Sequence, residues 1–146
     1  MGVPRRSPAR AASQRVPLWQ LLHDGGEVAI PVPEVQIFGG GAHAHGRCDI
    51  QDFLIVPCGA GSYPEALTWV AEVYRCAGAR LARRGQLQGV ADEGGYWPTF
   101  RRNEEGIEEL TRTIEDAGFA AGDEVAIALD AAATQWRDGS GYRWSL

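Results

Sequence analysis

A chain of 146 residues fits one ordinary domain, and 45% hydrophobic against 23% charged residues is a globular composition, neither disordered nor fibrous. A formal net charge of -5 with a pI near 5.2 argues against a nucleic-acid or anionic-membrane partner, since both call for a cationic face. The three cysteines, Cys48, Cys58 and Cys76, form no close pair, so neither a disulfide framework nor a zinc site is signalled and a reducing cytoplasm is expected.

All 14 basic residues are arginines, and no lysine is present. Residues 1–22 carry Arg5, Arg6, Arg10 and Arg15 and no acidic residue, a bias that superficially matches a targeting peptide, although Pro4, Pro8 and Pro17 oppose the amphipathic helix such a peptide needs. A leader or remnant over 1–15, disordered, is the expectation, with a short helical segment within 11–22 presenting Leu18, Leu21 and Leu22. Gly25 and Gly26 then end it.

Residues 33–57 read as two apolar, β-branched strands around a glycine-rich turn carrying His43 and His45. Glu34, Gln36, Gln51 and Asp52 lie inside those runs, where a polar side chain is costly unless it is paired or put to use. Over 62–85 the spacing predicts a helix: Ser62 and Glu65 form a capping box, Leu67, Val70, Ala71, Tyr74, Gly78 and Leu81 share a face, and Gly85 closes it. Residues 89–98 suggest a short strand ending in Asp92, Glu93 and two glycines. Asn103 is placed to cap a second helix, with Ile107, Leu110, Ile114 and Ala117 inward, and 124–130 alternates strictly, so that Asp130 ends a strand on its small-residue side. Four strands and two helices in βα succession imply a largely parallel sheet, with reactive groups at the carboxyl ends of its strands.

Glu93 is the foremost chemical candidate, a strand-end carboxylate beside two glycines that permit close approach; the alternative is that Asp92 and Glu93 only cap a turn. Asp130 suits either a hard cation or a cap. His43 can orient a phosphate or act as acid or base, whereas His45 reads as a bystander and the triplet Gly39, Gly40, Gly41 as a turn more than a phosphate cradle. Gln51 and Asp52 are adjacent, and a regular strand would send them to opposite faces unless it is bulged there.

Together these segments resemble enolase: GGAHA at 40–44, DIQDF at 49–53, DEGG at 92–95 followed by Pro98, NEE at 103–105 and ALD at 128–130, in order and at matching spacing across 16–146. The resemblance implies an α/β fold, a partial TIM-type barrel of the enolase kind with an antiparallel first strand pair followed by βα units. Residues 16–146 would be its amino-terminal half, without the capping domain or the later strands. It implies that Glu93 protonates the leaving hydroxyl of 2-phosphoglycerate, that Asp52 assists there, that His43 and Gln51 contact substrate, and that Asp130 is one of three carboxylate ligands of Mg2+. The partner is then a small phosphorylated 2-hydroxy acid in the cytoplasm, and the family is usually homo-oligomeric.

The family usually has asparagine where Gly39 stands, glutamate where Asp52 stands, and serine-glutamate where Thr134 and Gln135 stand. Its base is a lysine on a later strand, and the other two metal ligands also come from later strands. The chain alone is therefore not expected to turn over 2-phosphoglycerate. The alternatives are an enolase-like paralogue acting on a phosphonate analogue, of the carboxyphosphonoenolpyruvate synthase kind, and a non-catalytic half-barrel interaction module.

Overall fold

The structure, a computed structural model, describes residues 7–23, 25–45 and 48–146. Pro4, Arg5 and Arg6 of the expected leader lie outside the described residues. The chain divides into two compact units, Met1–Ile30 and Pro31–Leu146.

In the first unit, Ser7–Gln14 forms helix α1 and Leu18–Leu22 forms α2. Ser7–Gln14 is thus helical where the sequence reading expects disorder. Arg15 takes a left-handed φ of 56° and Pro17 stands just before α2, so the single segment imagined over 11–22 is broken in two. Helix α2 buries none of its residues.

The second unit is an open α/β layer. Strands β1 (Val35–Gly39), β2 (Asp52–Val56), β3 (Leu87–Val90), β4 (Tyr96–Pro98) and β5 (Ala126–Asp130) form one sheet in the order β3-β4-β1-β2-β5. Only β1 and β4 run parallel; the other three pairings are antiparallel. The expected largely parallel sheet is therefore corrected to a mixed one. Part of the cause is local: Ala91 N donates to the Gly95 carbonyl (2.7 Å) and Gly94 N to the Ala91 carbonyl (2.9 Å), turning the chain back within DEGG and making a hairpin of what reads as one strand, while β2 runs antiparallel to both β1 and β5. A small second hairpin, β6 (Arg137–Asp138) with β7 (Gly141–Tyr142), follows.

Helices α3 (Tyr63–Arg83) and α4 (Asn103–Asp116) cover one face of the sheet. Ser62 caps α3 by accepting from Glu65 N (3.3 Å), while the Glu65 carboxylate accepts from Gly61 N (2.8 Å). The buried stripe of α3 is Ala66, Val70, Val73, Ala77 and Leu81. Val70 and Leu81 lie in it as expected, but Leu67 is exposed, because the stripe runs one residue earlier at i, i+4, i+7. Helix α4 buries Gly106, Glu109, Leu110, Thr113 and Ile114, and Ile107 faces outward instead of inward.

Asn103 does not cap α4, contrary to expectation. Its Oδ1 accepts from Asp49 N (3.0 Å) and its Nδ2 donates to Asp49 Oδ2 (2.8 Å), tying the helix start to the segment that leads into β2. Between helices and sheet, Phe100 meets both Phe38 and Phe53 edge-on, at 5.6 and 6.4 Å between ring centres. Burying these rings with Ile37, Ile55, Leu110 and Ile114 supplies the main drive for this layer.

Candidate active site

The other face of the sheet carries the polar cluster, and a bulge puts it there. Gln36 pairs with Leu54 and Phe38 with Phe53, so Ile37 is an extra residue opposite one fewer on β2. Without it, Gln36 and Phe38 would share a face. With it, Phe38 joins the aromatic core and Gln36 lies on the side of Leu54 and Asp52. The sequence leaves Gln36 as a costly polar residue; its amide is where the site is tied together.

Gln36 Nε2 donates to Asp52 Oδ1 and, at 2.7 Å, to Glu93 Oε2, while Gln36 Oε1 accepts from Gly95 N at 2.7 Å. Both Gln36 and Asp52 are 8% exposed, so the bond between them forms out of bulk water, where it counts most, whereas Glu93 is exposed and its bond to Gln36 is only part-buried. Gly95 is required by this approach, since a Cβ there would lie 2.5 Å from Gln36 Oε1. The close approach foreseen for the glycines beside Glu93 is thus made by a side chain of β1.

Glu93 sits in the β3–β4 turn, reaching back over β1. Burial, then the hydrogen bond and negative charge of Asp52, push its carboxyl above the ordinary glutamate value, against the opposing effects of Gln36 and His43. A carboxyl so placed holds a proton at a pH where a free glutamate would have lost it, which is what an acid catalyst needs.

His43 stands on a 3-10 turn, Gly41–Ala44, with Nδ1 3.0 Å from Asp92 Oδ1 and Nε2 3.4 Å from Glu93 Oε1. The Asp92 hydrogen bond raises the imidazole above its ordinary value, and the same bond lowers the Asp92 carboxyl. His45 packs edge-on against Trp97 at 5.1 Å. His43, His45, Asp92 and Trp97 border a cleft of about 480 Å3 lined also by Ala42 and Val90. Gly40 N and Gly41 N donate to the carbonyls of Gln51 and Cys48, so neither amide is available to cradle a phosphate.

Gln51 lies just before β2, outside the regular strand, which resolves how it and Asp52 reach one site: Gln51 Nε2 donates to Asp52 Oδ2 at 3.2 Å. Gln135 donates from Nε2 to Gln51 Oε1 (2.7 Å) and accepts at Oε1 from Ala42 N (2.8 Å), a contact with no signal in the sequence pattern. Its segment is anchored by Asp49, whose carbonyl accepts from Trp136 Nε1 (2.8 Å) and whose carboxylate accepts from Ser145 N and Leu146 N. Burial alone would raise the Asp49 carboxyl, but the bonds from Asn103 and from the Leu146 and Ser145 amides outweigh it and hold it below the ordinary value.

Asp130 is the directly opposed partner of Asp52 in the β2–β5 ladder, so the two side chains leave the same face of the sheet. Glu93, Asp52 and Asp130 therefore belong to one side. They are not the tips of adjacent parallel strands: Asp52 opens an antiparallel strand, Glu93 lies in a hairpin turn, and only Asp130 ends its strand. Asp130 is exposed, and its Oδ1 accepts from Ala132 N at 2.9 Å. Among the described residues no group of three His, Cys, Asp or Glu is placed to hold a metal ion. A magnesium ion would find no complete ligand set among the described residues.

No helix among the described residues is long and apolar enough to cross a membrane. Residues 27–145 match the family model described as enolase, C-terminal TIM barrel domain, which fits an open α/β sheet as part of a barrel. The chain is similar to the enolase of Mycobacterium leprae (strain TN), with 42% identity over 137 residues covering 93% of this chain. It spans 32%, about a third, of that relative's length. With its fold, its motifs and this match in agreement, the chain belongs to the enolase family.

Proposed function

We propose that this chain carries the acid side of an enolase-type hydro-lyase site, acting on a small phosphorylated 2-hydroxy acid of the 2-phosphoglycerate class. The observation that carries the reading is the single buried amide of Gln36 donating to both Asp52 and Glu93. Glu93, protonated, gives its proton to the leaving hydroxyl oxygen as the carbon–oxygen bond breaks and water departs. The carboxylate left behind is held by the Gln36 amide. Asp52 stands beside the leaving group, and Gln51 and His43 bind substrate. Residues 16–146 are proposed as the amino-terminal half of the barrel and 1–15 as a leader or remnant.

Asp130 is proposed as one ligand of the Mg2+ that the family relationship suggests; by the resemblance the other two come from later strands, and no step is assigned to the ion. The base that removes the α-proton is a lysine in the resemblance, and this chain has none. The chain alone is accordingly expected to form no phosphoenolpyruvate from 2-phosphoglycerate with Mg2+. Turnover above a Glu93→Gln control would contradict that expectation. Residues 27–145 grafted in place of the matching segment of the Mycobacterium leprae enolase should give turnover that Glu93→Gln abolishes. A graft equally active with Glu93→Gln would overturn the role of Glu93.

A further inference from the structure

Gly39 and Asp52 both lie against the same side chain. A Cβ on Gly39 would lie 3.3 Å from Gln36 Nε2 and 2.8 Å from Ala91 Cβ, so an asparagine there would press on the Gln36 amide and on the turn beyond it. Asp52, one methylene shorter than glutamate, accepts directly from that amide. At Gly95, on the amide's other side, a Cβ would strike Gln36 Oε1 at 2.5 Å. Gln36 is buried, and its donors and its acceptor are all used within the cluster.

We infer that Gln36 is the positioning residue of the Asp52–Glu93 pair, and that Gly39 and Asp52 are its size partners, the one leaving room for its amide and the other stopping short of it. The inference rests on the reading of Asp52 and Glu93 as the acid side of the site. Its physical content is a length match: glutamine at 36 and aspartate at 52 together span the gap between β1, β2 and the β3–β4 turn. Lengthening residue 52 alone drives a carboxylate into a filled space. Shortening residue 36 alone withdraws the amide from Glu93 and Gly95.

The test uses the chain as it stands, with Gln36→Asn, Asp52→Glu and the double variant, followed by amide hydrogen exchange and urea unfolding. Gln36→Asn should speed exchange at the Gly95 N–H by about tenfold or more relative to amides of α3. Asp52→Glu should lower the unfolding midpoint, and the double variant should recover part of both losses, giving a non-additive cycle. Additive losses, or a Gly95 N–H that exchanges equally in wild type and Gln36→Asn, would overturn the inference. Should either single variant fail to fold, the unmutated chain still decides: its Gln36 side-chain amide protons should exchange about tenfold more slowly than those of an exposed glutamine, and equal rates would overturn it. None of these readouts involves turnover, so an inactive graft with coupled exchange behaviour would count against the proposed function alone.

Discussion

Gly106 lies inside α4, where glycine is a poor helix former, and replacing it by alanine sets two effects of known sign against each other. Propensity alone predicts that Gly106→Ala stabilises the chain by about 1 kcal/mol. Packing predicts the opposite. A Cβ at 106 would sit 2.4 Å from both Cε1 and Cζ of Phe53 and 3.1 Å from Cδ1. The Phe53 ring is fully buried and already edge-on to Phe100, which is edge-on to Phe38, so relief requires a chain of aromatic rings to move. Overpacking of this kind typically costs about 1–3 kcal/mol, and a contact this short belongs toward the upper part of that range. The net expectation is destabilisation by about 1–2 kcal/mol, read as a lower urea midpoint at unchanged m-value. In a Phe53→Leu background the obstructing ring edge is gone, and Gly106→Ala should there be neutral or stabilising by up to about 1 kcal/mol. A Gly106→Ala chain more stable than wild type in the Phe53 background would refute the packing argument, and with it the placement of α4 on β2.

Glu109 is 1% exposed and joins Arg80, at 2.7 Å from its Nε, and Arg84 across the α3–α4 interface. Removing it by Glu109→Ala leaves the largely buried Arg80 guanidinium with Asp116 as its remaining ion-pair partner among the described residues, which should cost about 3 kcal/mol in urea unfolding, toward the low side for a buried pair because Arg84 is 39% exposed. For His43 the folded imidazole sits above its ordinary 6.5 and Asp92 below its ordinary 3.8. The pair therefore contributes stability that is lost as pH rises through the raised His43 value and, at the other end, as pH falls through the lowered Asp92 value. Thermal unfolding of wild type against His43→Gln should show the largest gap between those limits and none in alkali; a gap that persists in alkali contradicts the pairing. Burial pushes the Cys48 thiol up to about 11, so a thiol reagent at pH 8 should modify it on the order of 100-fold more slowly than exposed Cys58, as followed by peptide mass mapping.

Much of the architecture could be read from local signals. The Ser62/Glu65 cap, the position of Gly85 and the two strands around the histidine turn each arise from short-range chemistry and lie where the sequence puts them, while the strand expected over 124–130 is found at Ala126–Asp130 with Leu129 exposed. What could not be read depends on partners distant in sequence. DEGG looks like a strand end followed by a loop until the Gly95 carbonyl is seen accepting from Ala91 N; that turn makes β3–β4 a hairpin, and the antiparallel pairings of β2 with β1 and β5 add to the mixed sheet. Asn103 has the composition of a helix cap, but Asp49 competes for its amide and wins, because a buried carboxylate and backbone N–H need partners more than an exposed helix end does.

The site divides in the same way. Glu93, Asp52, Gln51 and His43 were marked by residue type and motif, and they lie in one hydrogen-bonded cluster, with Asp130 on the same face. Gln36 was visible only as an unexplained polar residue, since the bulge at Ile37 that turns it toward Asp52 leaves no mark in the hydrophobic pattern. Gln135 reaches Gln51 from 84 positions away, and its neighbours give no periodic cue.

The pairing of Glu93 with Asp52 is tested most directly by the protonation of one carboxyl. Carbon-detected NMR titration of side-chain carboxyls in the intact chain should find Glu93 titrating above its ordinary 4.5, and Asp52→Asn should bring it back toward that value. A Glu93 that titrates at or below 4.5, and does so unchanged with Asp52→Asn, would contradict the claim that the two carboxylates form one acid-bearing pair.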